Sequence, residues 1–347
     1  MLTVVFGAGA SYDSIPSRPP GRHEEPQTRW YRPPLANELF GDREIFADAI
    51  SRFDRLQPVI PRLRHTAGKN VETALRKLQD EATDYPERKK QLMAVRYYLH
   101  HSLWDCEAQW RTLAKGVTNY KTLLDDIARW RQPNEEVCLV TFNYDTLLED
   151  ALPSIGLTIK ELSDYVFGSV WYKVFKLHRS VNWARVLRTH PHYQRNDHWA
   201  VARANIERAD QVEATDKFVR VDEHPCGILP GGLGLIPAIA IPVEQKSYFE
   251  CPSDHLRELE RLLPHTERML LIGWRATEQH FLNLPQKHVT DLRSGLVVAG
   301  SESEAQEIAD RVSGALSNAR IRWETAPAGF TDFILNRRAD DVLRDGR

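Results

Sequence analysis

Residues 4–11 read VVFGAGAS, an apolar run that passes directly into a turn of glycine, alanine and serine. The apolar half predicts a buried strand of a parallel sheet, and the small residues predict a turn that leads into a helix. Such a turn lets backbone N–H groups approach a phosphate, but small residues serve equally well for packing a helix on a strand. Both interpretations stay open. Tyr12 breaks the six-residue dinucleotide fingerprint, which disfavours an ordinary dehydrogenase.

The same change from an apolar run to a small or polar turn recurs four times, in EVCLVTFNYD (136–145), VFKLHRS (174–180), MLLIGW (269–274) and LVVAGS (296–301). Helical patterns follow most of these turns. This alternation predicts an α/β fold with a Rossmann-like, mostly parallel sheet and helices on both faces. Because loops after parallel strands gather at one edge, we expect the turns to converge on one ligand site; they span 7–11, 142–145, 178–180, 273–275 and 299–301.

The pattern also divides the chain into one domain with two insertions. The Rossmann-like domain is predicted over 1–35 and 134–335. Residues 36–133 repeat apolar residues at spacings of three and four with charges opposite, which predicts a helical insertion. Residues 185–235 show no such period and are predicted to form an irregular surface insertion within the Rossmann-like domain.

Composition excludes several classes of protein. The net charge of −2, from 46 basic and 48 acidic residues, provides no overall attraction to nucleic acid, and no nucleic-acid-binding module is visible. No window approaches ~18 uninterrupted apolar residues, so no membrane span is expected. No basic stretch precedes an apolar one at the start, so we expect no secretory signal and a cytoplasmic protein. The four cysteines form no Cys-x₂₋₄-Cys pair, which excludes a zinc site built from local pairs.

Three polar side chains lie near predicted strand ends. Asp145 suits the N-cap of a helix predicted from Thr146. Asn143 lies before that cap, so its amide is predicted to be available for a sugar hydroxyl or a water molecule. His178 ends a strand in a polar turn, where a neutral imidazole can act as a general base near neutral pH. His280 is predicted to be a helix residue facing solvent or its neighbours.

Five motifs in order resemble the sirtuin-like (Sir2-type) domains of bacterial anti-phage defence proteins: FGAGAS, TFNYDTLLEDAL, KLHRSVNW, IPVEQKSYFECP and LIGWRATEQHFL. The resemblance covers nearly the whole chain, from Val4 to about Phe330. It implies that NAD binds at the sheet edge as a substrate. It also implies that Asn143 and His178 support cleavage at the nicotinamide ribose, with Asp145 beside them. The implied NAD-binding residues are Gly7, Ala8, Gly9, Ala10, Ser11, Gly273, Trp274, Gly300 and Ser301.

Two departures from the family pattern bear on the activity. Arg179 follows His178 where the family usually has glycine, so a large cation beside the site would pair with a phosphate or partly block the pocket. The two Cys-x-x-Cys pairs that hold structural zinc in protein-deacylating sirtuins are absent. The resemblance therefore implies the NAD-hydrolysing branch, a zinc-independent NAD⁺ glycohydrolase that needs no metal.

The resemblance further implies a role and partners. The chain is expected to be an antiviral effector that depletes cellular NAD in abortive infection and is switched on by assembly or by a partner. It suggests that the chain forms a homo-oligomer, and that its possible partner is a HerA-type ATPase or an Argonaute-like protein. The alternative is a non-catalytic regulatory subunit of a defence complex that binds NAD or ADP-ribose, and Arg179 is the feature that favours it.

Overall fold

The computed structural model describes residues 1–21, 24–67, 71–193, 197–221, 227–228, 232–239, 241, 249, 251–316 and 321–344. The chain divides into two compact units. The first, here called the sheet unit, comprises 1–28, 111–178 and 245–347. The second, here called the insertion unit, comprises 29–110 and 179–244.

The strands are β1 (Leu2–Phe6), β2 (Val137–Thr141), β3 (Tyr172–Lys176), β4 (Arg179–Thr189), β5 (Glu213–Arg220), β6 (Leu235–Ile239), β7 (Arg268–Ile272), β8 (Ser294–Val298) and β9 (Trp323–Ala326). The α-helices are α1 (Ala8–Tyr12), α2 (Pro26–Tyr31), α3 (Glu44–Ser51), α4 (Ile60–Ala67), α5 (Val71–Glu81), α6 (Pro86–Ala114), α7 (Asn119–Trp130), α8 (Asp164–Phe167), α9 (His198–Glu207), α10 (Ser253–Leu262), α11 (Gln279–His288), α12 (Glu302–Ala315), α13 (Gly329–Leu335) and α14 (Ala339–Arg344). Over the ranges described, no helix is both long and apolar enough to cross a membrane.

The sheet unit contains one six-stranded sheet in the order β3-β2-β1-β7-β8-β9, and every neighbouring pair is parallel. Numbered along the chain within this sheet, the order is 3-2-1-4-5-6, which is the order of the Rossmann fold. The strand order reverses between β1 and β7. The predicted α/β class with a Rossmann-like parallel sheet is therefore confirmed.

The register makes all six strands of this sheet end level at one edge. Phe6 pairs with Thr141 on one side and with Ile272 on the other. Thr141 pairs in turn with Lys176, and Ile272 with Val298. The residues that follow these strands therefore leave the sheet along a single edge. The near-continuous apolar runs of β1, β2 and β7 follow from burial of both faces of the sheet.

The division into units differs from the predicted insertion over 36–133. Helix α7 belongs to the sheet unit because Tyr120, near its start, packs on Phe6 of β1 and on Phe330 of α13. The side chain of Thr118 caps this helix by accepting from the N–H of Lys121 at 3.3 Å.

The segment predicted to be an irregular insertion over 185–235 instead contains regular structure. Strands β4, β5 and β6 form an antiparallel sheet in the order β5-β4-β6, with a small core of Ala184, Val186 and Leu235. The sequence pattern missed this sheet for two reasons. Register shifts interrupt β4, and β5 has few apolar residues because it is a half-exposed edge strand, so neither shows a clear period of two.

Candidate functional site

The predicted turns follow neighbouring strand ends along the carboxyl edge of the parallel sheet. His178 lies after β3, Phe142 after β2, Gly7 after β1, Gly273 after β7, and Gly300 after β8. Since neighbouring strands lie about 4.8 Å apart, the row from β3 to β8 spans about 19 Å. The point where strand order reverses lies near its middle, and ligands of open α/β sheets bind at such points.

The glycines of the first turn allow two turns to touch across this reversal. The N–H of Gly7 donates to Ile272 O and that of Gly9 to Gly273 O, both at 3.0 Å. A Cβ on Gly7 would lie 2.5 Å from Gly273 O, and a Cβ on Gly273 would lie 2.3 Å from Ala10 N. Backbone packing alone therefore requires these glycines, and the N–H groups of Gly7 and Gly9 are engaged within the protein.

Asn143 is held by its amide nitrogen at the centre of a buried network. Its Nδ2 donates to Gly7 O and to Ser11 Oγ, each at 2.9 Å, and to the Tyr120 hydroxyl at 3.2 Å. The residue is 6% exposed. Its Oδ1 is buried and has no hydrogen-bond partner among the described residues. The sequence predicted an amide available to a ligand. In the structure the amide nitrogen is engaged by three groups of the protein, and the amide oxygen is the atom that a ligand could contact.

Tyr120 is a member of this network that the sequence analysis missed. Its hydroxyl lies 3.0 Å from Ser11 Oγ, in addition to accepting from Asn143. Burial raises the pKa of Tyr120 well above its ordinary value, and the charge of Asp145 raises it further. An aromatic residue on an amphipathic helix is ordinarily a core residue, so the sequence carried no signal for this contact.

Asp145 does not cap an α-helix, contrary to the prediction. Its Oδ1 accepts from the N–H of Leu147 at 3.2 Å, but turns follow it, and only a short 3₁₀ helix forms over Leu152–Ile155. Pro153 and the left-handed Gly156 limit helical structure here.

The environment of Asp145 combines burial with a nearby cation. Burial raises the pKa of Asp145, while the charge of Lys176 and a hydrogen bond with Ser11 oppose that rise. Lys176 is fully buried, donates to the backbone oxygen of Asp145 and forms an ion pair with Glu149 at 2.9 Å. The carboxylate therefore lies in a low-dielectric setting with compensating charge.

His178 is packed against the residues on either side of Asn143. Its ring centroid lies 4.9 Å from that of Phe142 and 6.5 Å from that of Tyr144. The ring of His280 lies 6.1 Å away with a 20° angle between the planes. His178 therefore lies in an aromatic cluster with His280 and with the two residues that flank Asn143 in the chain.

Trp274 forms one wall of this cluster. Its ring stacks on Phe142 at 5.4 Å with an 8° angle between the planes, and Phe281 contacts both rings edge-on. Its indole N–H donates to Glu278 at 2.7 Å, and 3% of the residue is exposed. The predicted turn at Gly273 and Trp274 therefore contributes an apolar surface to the aromatic cluster around Phe142 and His178.

The remaining residues predicted to bind NAD have different surroundings. Ala8 begins α1 and is exposed, whereas Ala10 in the same helix is buried. Ser301 caps α12, its hydroxyl accepting from the N–H of Glu304 at 3.3 Å. The N–H of Gly300 donates to the Glu304 carboxylate at 3.2 Å. This turn therefore has a clear structural role at the start of α12.

Arg179 adopts a backbone conformation that glycine prefers. Its φ is +73°, in the left-handed region, where residues with a Cβ are strained. Its guanidinium lies over the ring of Phe218 within the insertion unit, at 5.4 Å. The positive φ therefore makes glycine the least strained residue at this position, and an aromatic contact holds the arginine side chain.

Two predicted features have a limited structural description. Eight of the twelve residues of the motif IPVEQKSYFECP lie outside the described residues. Across the described part of the chain, no group of three or more His, Cys, Asp and Glu side chains is arranged to hold a metal ion.

No protein-family model and no curated protein matches this chain. Among solved structures, it is similar to a Sir2 homologue in complex with NAD, at 16% identity and a TM-score of 0.39, over 99% of this chain and 90% of that one. It is similar to a mutant Sir2 homologue in complex with ADP-ribose, at 15% identity and a TM-score of 0.42, with the same coverage. A third similar structure, of a Sir2 enzyme, has 12% identity and a TM-score of 0.34, over 97% and 93% of the two chains. The Rossmann-type fold follows from the strand order and register of this chain, independently of these likenesses.

Proposed function

We propose that this protein is a NAD⁺ glycohydrolase, which uses water to cleave the bond between nicotinamide and the ribose C1′. The observation that carries the proposal is the buried Oδ1 of Asn143, at the edge where Rossmann folds bind dinucleotides. A buried acceptor without a donor costs about 1–3 kcal/mol. A ligand hydroxyl or a bound water molecule would remove that cost.

Charge along the edge suggests the direction of the dinucleotide. The first turn of α12 carries Glu302 and Glu304, which disfavour a phosphate and suit sugar hydroxyls. The pyrophosphate is therefore assigned to the middle of the row, beside the point where strand order reverses. The nicotinamide ribose is assigned to the other end, beside Asn143 and His178.

The mechanism that follows is dissociative. Nicotinamide leaves as a neutral molecule because it carries the positive charge of NAD⁺, and its bonding electrons leave with it. Asn143 Oδ1 would accept a hydrogen bond from the attacking water or a ribose hydroxyl, and His178 would accept the proton that the water loses. The carboxylate of Asp145 would favour the positive charge that develops on the sugar. The products are ADP-ribose, nicotinamide and one proton.

The biological role proposed for this activity is depletion of cellular NAD during phage infection. Its support is the resemblance of the five sequence motifs to defence proteins. On the same basis we propose that assembly into a homo-oligomer, or a HerA-type ATPase or Argonaute-like partner, switches the activity on. Measurement of NAD in infected cells that carry the wild type or Asn143→Ala tests this role, because only the wild type should deplete it.

Nicotinamide release from NAD by the purified chain, alone and in its assembled form, tests the activity itself. His178→Ala should lower the rate roughly 10²–10⁴-fold if the imidazole is the base. Asn143→Ala should also lower it. His265→Ala is the matched control, since His265 is exposed and lies just before β7, at the opposite edge of the sheet.

The outcomes separate the two candidate functions. A wild type that binds NAD but releases no nicotinamide in any assembly state would identify the non-catalytic regulatory subunit. Full activity in both Asn143→Ala and His178→Ala would show that the roles assigned to these residues are wrong.

A further inference from the structure

We propose that Tyr120 is a positioning residue for Asn143: with Ser11, its hydroxyl holds the amide so that the carbonyl oxygen is the end presented to a ligand. The orientation of the amide rests on geometry alone. Its consequence for catalysis rests on the proposed function.

An asparagine side chain can occupy one site in two orientations that exchange its oxygen and nitrogen. Gly7 O, at 2.9 Å, is a backbone acceptor that cannot donate. The reversed amide would bring two acceptor oxygens together there. The other two partners, Ser11 and Tyr120, are hydroxyls that can turn to donate or accept. Gly7 therefore favours the observed orientation of Asn143. The two hydroxyls support the same orientation only when they accept from the Asn143 NH₂ group.

Both hydroxyls can accept from Asn143 because each donates its own proton away from the amide, toward Asp145. When it is ionised, the carboxylate of Asp145 can only accept, and a hydrogen bond from Ser11 opposes the rise in pKa that burial causes. With the Ser11 proton directed there, the Tyr120 hydroxyl donates to Ser11 Oγ, 3.0 Å away. The lone pairs of the Tyr120 oxygen then face the Asn143 NH₂ group. Gly7 O at one end of the network and the Asp145 carboxylate at the other thus favour the same orientation of the Asn143 amide.

Tyr120 is itself held firmly in place. Its ring packs between Phe6 and Phe330, at 5.2 Å and 5.6 Å, and the residue is 1% exposed. The preceding residue, Asn119, donates its backbone N–H to Ser14 O at 2.8 Å and its side-chain nitrogen to Asp13 O at 2.7 Å. Helix α7 is thereby fixed to the end of α1, which places the hydroxyl at the amide with little freedom to move.

The simplest competing explanation is that Tyr120 is only a core residue. Tyr120→Phe keeps the ring and removes only the hydroxyl. Tyr97→Phe is a matched control, because the Tyr97 hydroxyl accepts from the side-chain nitrogen of buried Asn205 at 2.8 Å within the insertion unit. Each change removes a hydroxyl that accepts from a buried asparagine side chain, and Tyr120→Phe also removes the contact with Ser11. A general loss of packing or stability should affect both variants alike.

The orientation is tested by NMR on protein labelled with ¹⁵N-asparagine. The side-chain signal of Asn143 is identified by its absence from Asn143→Ala. We expect its amide protons to exchange with water about 2- to 10-fold faster in Tyr120→Phe, the factor for loss of one neutral hydrogen bond. Tyr97→Phe should leave this signal unchanged. Ser11→Ala removes the other hydroxyl and should speed exchange as Tyr120→Phe does. It replaces Tyr120→Phe in this measurement if that variant folds poorly.

The catalytic consequence is tested with NAD as substrate. Tyr120→Phe should lower kcat by about 2- to 10-fold and leave KM within about 2-fold, because the hydroxyl does not touch the ligand. In the Asn143→Ala background the same change should cause no further loss, since it acts only through that amide.

The two failures are distinguishable. If the Asn143 amide exchanges at the same rate in wild type, Tyr120→Phe and Ser11→Ala, the positioning inference is overturned whatever the activity. If the amide responds but wild-type protein releases no nicotinamide, the orientation stands and the proposed glycohydrolase is rejected.

Discussion

Gly273→Ala is the sharpest test of how the site edge is assembled. An alanine Cβ at this position would lie 2.3 Å from Ala10 N and 2.4 Å from the carbonyl carbon of Gly9. Both atoms belong to backbone, so no flexible side chain can move aside. The φ of +58° adds a second cost, because alanine is strained in the left-handed region.

The magnitude follows from these two terms. Forced backbone shifts cost about 1–3 kcal/mol, and the left-handed conformation costs about 1–2 kcal/mol. We therefore expect a loss of about 3 kcal/mol in the free energy of unfolding. At about 2.1 cal/mol/K per residue, the 347 residues have an unfolding entropy of about 0.7 kcal/mol/K. The melting temperature should then fall by about 4 °C if the chain unfolds as one cooperative unit.

Two other glycines separate the contributions. Gly156 has a φ of +77°, but no atom lies within 4 Å of the position that a Cβ would take, so Gly156→Ala should cost only the backbone term, about 1 kcal/mol. Gly300→Ala should be nearly neutral, since its nearest atom is a Glu304 carboxylate oxygen at an ordinary 3.4 Å. Urea and thermal unfolding of the three variants provide the measurement. Equal losses for Gly273→Ala and Gly156→Ala would refute the turn-to-turn contact.

Two further predictions concern the insertion unit. Arg179→Gly should be more stable than Arg179→Ala by about 1 kcal/mol because φ is positive at this position, which reverses the usual order of the two residues. A higher urea midpoint for Arg179→Ala than for Arg179→Gly would contradict this. Burial raises the pKa of Asp105 to about 6, so the folded state retains a proton that the unfolded state loses near pH 4, and this group's contribution to stability falls as pH rises from about 4 to 6. Asp105→Asn should therefore gain stability relative to wild type between pH 4.5 and pH 7, and a difference in unfolding free energy that does not change with pH would exclude this linkage.

The strands and turns of the parallel sheet could be predicted because their signals are local. The run from Val4 to Phe6 is apolar throughout, as a strand buried on both faces requires, and Gly7 marks its end. The same reasoning located β2, β7 and β8 and the turns after them. It failed for β5, where an exposed edge strand needs few apolar residues, and for the helix expected from Thr146, where Pro153 and Gly156 limit helical structure.

From the sequence alone came the set of turns at the edge of the sheet, because each depends on residues a few positions apart. Tertiary structure decided what those turns do to one another. Tyr120 is 109 residues from Ser11 and 23 from Asn143, and only the packing of α7 on β1 brings the three together. Likewise, the first-turn glycines are explained by a contact with Gly273, more than 260 residues away. Hydrogen bonds and steric contacts depend on distance in space, and a single sequence records neighbours only along the chain.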